Sequence, residues 1–243
     1  MEKLQYDSKE YKLYSPDSLK YLTDRLTPII IQKIQEYKKL FNIKEFRQLQ
    51  INYFDELNKF QDFVKNLYDE EITLPEYCRA TYDMGMINAY IEPNIQVDSF
   101  LYNDRLYMAS HELFHIMYSE IVLKNDLSKR VVWYDEGMAQ LFSGETDYLE
   151  DKESFKGFYL KVKEEIKEIP NLNNINHDEN TFCIKELYNG YNLSYLAVKY
   201  LKEVLDEEEF KELLYDVEKV KQYGNILNDV FQYYDNKIVE KKR

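Results

Sequence analysis

Only three histidines occur in the 243 residues, and two of them, His111 and His115, stand four apart with Glu112 directly after the first. On a helix that spacing sets both imidazoles on one face, one turn apart, where a single cation can take a nitrogen from each. Glu112 then falls beside the metal rather than on it, and its carboxylate can take a proton from a metal-bound water. Zinc suits such donors, and it lowers the pKa of its water to about 7, so hydroxide becomes available near neutrality. The preceding Leu106-Tyr107-Met108-Ala109-Ser110 is apolar enough to bury a helix carrying the pair. The bland alternative is two packed or solvated histidines on an amphipathic helix.

A third donor stands downstream. Trp133-Tyr134-Asp135-Glu136-Gly137-Met138-Ala139-Gln140 opens a second predicted helix, with 20 residues between His115 and Glu136. A connection of that length lets the second helix fold back on the first, giving a His, His, Glu set with the fourth position left to water. Together the two segments resemble the gluzincin peptidases, in which His-Glu-x-x-His is followed by Trp-x-x-Glu-Gly-x-Ala. The likeness is nearer to the bacterial peptidase MA-like proteins than to the thermolysin-like catalytic domain of the aminopeptidases. It covers most of the chain, from the helix near residue 16 through the strand 48–54 to residues 190–201, although only the two metal segments are highly specific.

That resemblance implies a zinc-dependent metallopeptidase in which His111, His115 and Glu136 hold Zn2+ and Glu112 is the general base. It also implies a tyrosine or histidine from the C-terminal part that supports the oxyanion. Tyr191 is the chosen residue and Tyr188 and Tyr195 are its competitors; in a chain with 24 tyrosines, the plain reading of each is packing. Two departures shape the expectation. The His115–Glu136 separation exceeds the aminopeptidase spacing by about two residues. The exopeptidase segment Gly-Ala-Met-Glu-Asn, whose Glu grips a free amine, is represented only by Gly85-Met86-Ile87-Asn88-Ala89. The missing carboxylate implies endopeptidase rather than aminopeptidase activity, on a peptide or protein substrate. As a sheet edge, residues 85–91 would pair with an extended substrate backbone, or else serve only as a strand.

Other polar residues near these segments read more plainly. His177 could be a donor or an alternative ligand, but among Asn and Asp it is expected to be a solvated loop histidine. Asp135 and Gln140 are placed to orient the ligand imidazoles from outside the metal, and Asp135 equally suits the acidic first turn of a helix. The competing reading, from another class, is a non-catalytic, zinc-stabilised interaction protein derived from a peptidase. Glu112 has no purpose in that reading.

The frame that must position these residues is α+β, with strands early and helices late. Ser15 and Pro16 suit the N-cap and first turn of a long helix. Leu19, Leu22, Leu26, Ile30, Ile34, Tyr37 and Leu40 line one side of it, and Pro28 would kink or divide it. Residues 48–54 alternate as a half-buried strand, 58–68 form a helix, and 79–91 form one or two strands around Gly85. Helices follow over about 104–124, 134–143, 152–167, 191–205, 207–218 and 224–235, with the Asn-rich 170–178 as an exposed loop. Asp206-Glu207-Glu208-Glu209 caps and solvates a helix start, and 241–243 form a frayed basic tail. The expected architecture is a thermolysin-like zincin: an N-terminal α/β part over 1–125, a helical part over 126–243, and the active site between them.

A formal charge of −13 argues against nucleic acid as a partner. No stretch is apolar for long enough to cross a membrane. Cys78 and Cys183, isolated in sequence, suit reduced core thiols, and without an apolar leader the expected location is cytoplasmic.

Overall fold

Residues 3–67, 74, 78–83, 85–177 and 180–239 are described by the structure, a computed structural model. The expectations for Tyr68, Asp178 and residues 241–243 lie outside them. The chain divides into two units, Met1–Ile121 and Val122–Arg243. The architecture is α+β, with a mixed five-stranded sheet and, among the described residues, helices in both units.

In the first unit β1 (Lys3–Asp7) and β2 (Tyr11–Ser15) pair antiparallel, with an irregularity between Leu4 and Tyr6. Tyr11, Leu13 and Ser15 point to one side and are buried, a period-two pattern absent from the expectations above. Ser15 is not a helix cap. Residues 11–14 pair in parallel with β3 (Leu49–Phe54), which keeps the segment extended up to Ser15, whose hydroxyl donates to the Pro16 carbonyl at 3.2 Å. A 3-10 turn over Asp17–Leu19 follows, then α1 (Lys20–Leu40), which Pro28 does not divide. α1 buries Leu22, Leu26, Ile30, Ile34 and Tyr37, the stripe expected of it.

Strand order is β1-β2-β3-β5-β4, with β5 (Met86–Tyr90) parallel to β3 and β4 (Ala80–Asp83) antiparallel to β5. β3 is buried at every position but Gln50, because it is the middle strand rather than a half-exposed one. Gly85, between β4 and β5, has φ +80°, and a Cβ there would meet the Arg47 guanidinium at 2.5 Å. The positive φ favours glycine, whereas the guanidinium, at the end of a flexible side chain, can move aside.

The two sheet faces carry different helices. Phe54 of β3 and Tyr90 of β5 pack with Phe60 and Val64 of α2 (Leu57–Leu67). α3 (Phe100–Tyr118) lies against β4 and β5 on the opposite face, where Tyr82 of β4 meets His115. α3 starts at Phe100 because the Ser99 side chain caps it, accepting from the Tyr102 amide at 3.1 Å. It packs on α1 through Phe114, whose ring meets Tyr37 edge-on at 5.6 Å, and Tyr37 Oη donates to the Ser110 carbonyl at 3.1 Å. Past Tyr118 the helix loosens into a π turn over Ser119–Leu123.

The second unit is built on α4 (Val132–Ser143) packed against α6 (Gly190–Val204). α9 (Leu227–Val239) lies on α6 and on α5 (Lys152–Glu165), whose Tyr159 hydroxyl donates to the Phe231 carbonyl at 3.0 Å. The expected helix over 207–218 is two helices, α7 (Glu207–Tyr215) and α8 (Val217–Lys221), because Asp216 closes one and caps the other, accepting from the Lys219 amide. Asp206 and Glu209 form a reciprocal capping box at the start of α7. β6 (Cys183–Ile184) and β7 (Tyr188–Asn189) make a short hairpin ahead of α6.

The Asn-rich stretch after Pro170 is a loop with one 3-10 turn in which Asn173 and Asn174 are exposed, as expected, but Leu172 and Ile175 are buried. Asn173 accepts from the Trp133 indole at 3.1 Å and donates to the Lys221 carbonyl at 2.7 Å. Among the described residues, no helix is long and apolar enough to cross a membrane.

Candidate metal centre

The helical pitch of α3 brings His111 and His115 to one face, as their spacing requires. Their Nε2 atoms stand 3.0 Å apart, with the rings edge-on at 75°. Two nitrogens bound at 2.0–2.1 Å to one tetrahedral zinc would be separated by about 3.3 Å, so the pair is close to ligating geometry. One ligand atom each from His111, His115 and Glu136 lies within 4.8 Å of the others. His115 and Glu136 are 3% and 4% exposed and His111 9%. The structure therefore brings together a largely buried His, His, Glu group able to hold a metal ion. Glu112 follows the first imidazole on α3 and is half-buried.

His115 has a further neighbour that sequence spacing could not show. The Tyr82 ring of edge strand β4 stacks on its imidazole at 5.4 Å and 24°. Register accounts for this placement. Tyr82 is opposite Ile87 in β5, so both face α3, whereas Asn88 faces the other way with its partner Asn52, whose amide donates to Asn88 Oδ1 at 2.7 Å. The expected edge over 85–91 is corrected accordingly. β5 is paired on both sides, and the edge strand beside the imidazoles is β4. Asn88 therefore faces away from α3.

Glu136 is fixed from its own unit. Arg130 Nη2 donates to Glu136 Oε1 at 2.9 Å, and His177 Nε2 stands 3.0 Å from the same oxygen. Arg130 also donates through Nε to Asp135, which is 2% exposed, so one guanidinium spans two adjacent buried carboxylates. His177 is not a solvated loop histidine. The Asn173–Trp133 hydrogen bond folds its segment onto the start of α4, and its ring lies 4.1 Å from Phe182 and 5.9 Å from Tyr191.

The three tyrosines separate by environment. Tyr188 Oη donates to the Thr181 carbonyl at 2.9 Å. Tyr195 is buried, its ring edge-on to Phe158 at 5.6 Å and its hydroxyl paired with Thr146, and burial raises its pKa. Both are occupied in packing. Tyr191, half-buried in the first turn of α6, meets Phe182 edge-on at 4.8 Å beside His177. Gln140 Oε1 is buried with no hydrogen-bond partner among the described residues.

The packing of α4 on α6 explains why a glycine, Gly137, follows Glu136. A Cβ there would lie 2.4 Å from the Ser194 carbonyl oxygen and 2.6 Å from Val198 Cγ2, so α4 and α6 approach only where no side chain intervenes. The thiols are both free. Cys78 is half-buried, and burial first, then the charge of Glu112, pushes its pKa up to about 11. Cys183 is exposed rather than a core thiol, because the β6 strand carrying it belongs to a short surface hairpin.

No family model matches this chain, and a search of curated proteins returns no match.

Proposed function

We propose that this chain is a zinc-dependent metallopeptidase of the gluzincin kind, with a thermolysin-like arrangement. The observation that carries the reading is the convergence of His111, His115 and Glu136 with an acidic residue, Glu112, directly after the first imidazole. A site that only stabilised a fold would have no use for a base there. Zinc bound by the three side chains would supply Lewis acidity to a water and to the scissile carbonyl.

The rest of the chemistry falls to the chain's own side chains. Glu112 takes a proton from the attacking water and returns it to the leaving amine. Tyr191 donates a hydrogen bond to the oxygen that gains charge. Tyr82 holds the His115 ring by stacking. β4, the edge strand on the imidazole side, offers its backbone to an extended peptide, which is how a sheet edge recognises substrate without regard to side chain. Endopeptidase action is preferred, since Asn88 faces away from α3 and has no carboxylate with which to grip a free amine.

Metal analysis run beside cleavage of a peptide library tests this reading. Wild type is expected to carry one zinc per chain and to cleave; Glu112→Gln is expected to keep the metal and to lose about 10²–10⁴-fold in turnover. Undiminished cleavage by Glu112→Gln refutes the mechanism. Stoichiometric zinc without any cleavage favours the zinc-stabilised interaction protein.

A further inference from the structure

Arg130 donates to a carboxylate of the candidate metal centre, and a carboxylate, which only accepts, takes donors as its outer partners. Behind a ligating imidazole the partner is a carboxylate or carbonyl that raises its basicity, and losing an outer partner typically weakens metal binding about 10–100-fold. Behind Glu136 one such donor is a cation. Its Nη2 donates to Oε1 at 2.9 Å, while the same guanidinium bonds Asp135. His177 Nε2 approaches that oxygen as well, at 3.0 Å. Asp135, Glu136 and Arg130 have side-chain exposures of 2%, 6% and 19%, so their charges are only weakly screened by water.

We infer that Arg130 is a positioning residue that lowers the metal affinity of this centre, acting as counter-cation to Glu136 and Asp135. Two effects share that sign. The guanidinium draws electron density from the ligand carboxylate and so weakens its donation, and its charge repels a divalent cation bound to the same side chain. A ligand held this way is preorganised by a clamp yet a poorer donor, which leaves a bound metal more electrophilic toward water. The inference rests on the metal-binding part of the reading above and not on peptide hydrolysis.

Zinc affinity, measured by competition against a chromophoric chelator, separates charge from positioning. Arg130→Gln keeps an amide donor for Oε1 and removes the charge; it is expected to bind zinc about tenfold more tightly or better, the scale of one lost charge repulsion near a partly buried dication. Arg130→Lys keeps the charge but not the fork that spans both carboxylates, and is expected to bind zinc more weakly than Arg130→Gln. If Arg130→Gln binds zinc no more tightly than wild type, or more weakly, the attenuating role is overturned and Arg130 only positions the ligand. Should Arg130→Gln fold only when zinc is present, the metal has replaced the missing cation, which supports the inference; failure to fold even with zinc overturns it. A wild-type protein that binds no zinc sinks the metal reading itself, an outcome distinct from unchanged affinity in the variant.

Discussion

Gly137→Ala tests how the second unit presents Glu136. The new Cβ would stand 2.4 Å from the Ser194 carbonyl oxygen, where ordinary contact begins at 3.4 Å, so α4 and α6 must part by the difference, about 1 Å. Both obstacles, the Ser194 backbone and Val198 Cγ2, belong to α6 itself and cannot swing aside as a long side chain would. Overpacking of this kind costs about 1–3 kcal/mol. For a chain of this size each kcal/mol lowers Tm by about 2–4 °C, so a fall of about 2–12 °C is expected by calorimetry. Glu136 is the adjacent residue and moves with α4. Metal–ligand distances tolerate only about 0.2 Å, so zinc affinity should fall by about 10–100-fold in the same variant. A Tm within about 1 °C of wild type together with unchanged zinc affinity would refute both the close packing of α4 on α6 and its role in placing the ligand.

Other outcomes follow from the same geometry. Tyr191→Phe should lower kcat by about 10²–10³-fold, the usual effect of losing one oxyanion donor, without altering zinc content, whereas Tyr188→Phe should not. Titration of Cys78 in the folded protein should be displaced upward, because burial and the Glu112 charge favour its neutral form. With a pKa of about 11, roughly one thiol in a thousand is ionised at pH 8, so alkylation should be slow there and rise steadily toward pH 11. Since the folded pKa lies above that of an unfolded thiol, the group favours folding less and less as pH rises past about 8.5. A Cys78 alkylation rate at pH 8 equal to that of a free thiol would contradict the burial.

What could be read in advance was whatever depends on neighbours in sequence. His111, Glu112 and His115 share one helix, and Glu136 with Gly137 sits at the start of another, so local period and composition sufficed to mark them. The helices themselves were legible for the same reason, within a few residues at their ends. Ser15-Pro16-Asp17 misled because a local capping signal competed with parallel pairing to β3, which is remote in sequence. Asp216 broke an apparently continuous helical pattern by capping the next helix itself. Arg130 and His177 could not be assigned to Glu136 from spacing. His177 reaches it only because the Asn-rich stretch folds onto Trp133, a consequence of side-chain amides whose polarity in sequence reads as solvation. Tyr82 required the sheet register, since a shift of one residue would have turned it toward α2.

The Asn173 amide, which ties the Trp133 indole to the Lys221 carbonyl, exposes this fold to chemical ageing. An amide can donate on one side and accept on the other; the carboxylate left by deamidation can only accept. The oxygen that replaces Nδ2 would then oppose the Lys221 carbonyl across 2.7 Å, and a cohesive bridge would become a repulsive one. A hydrolysis nearly invisible in mass would thus act as a slow clock on the segment that delivers His177 to Glu136.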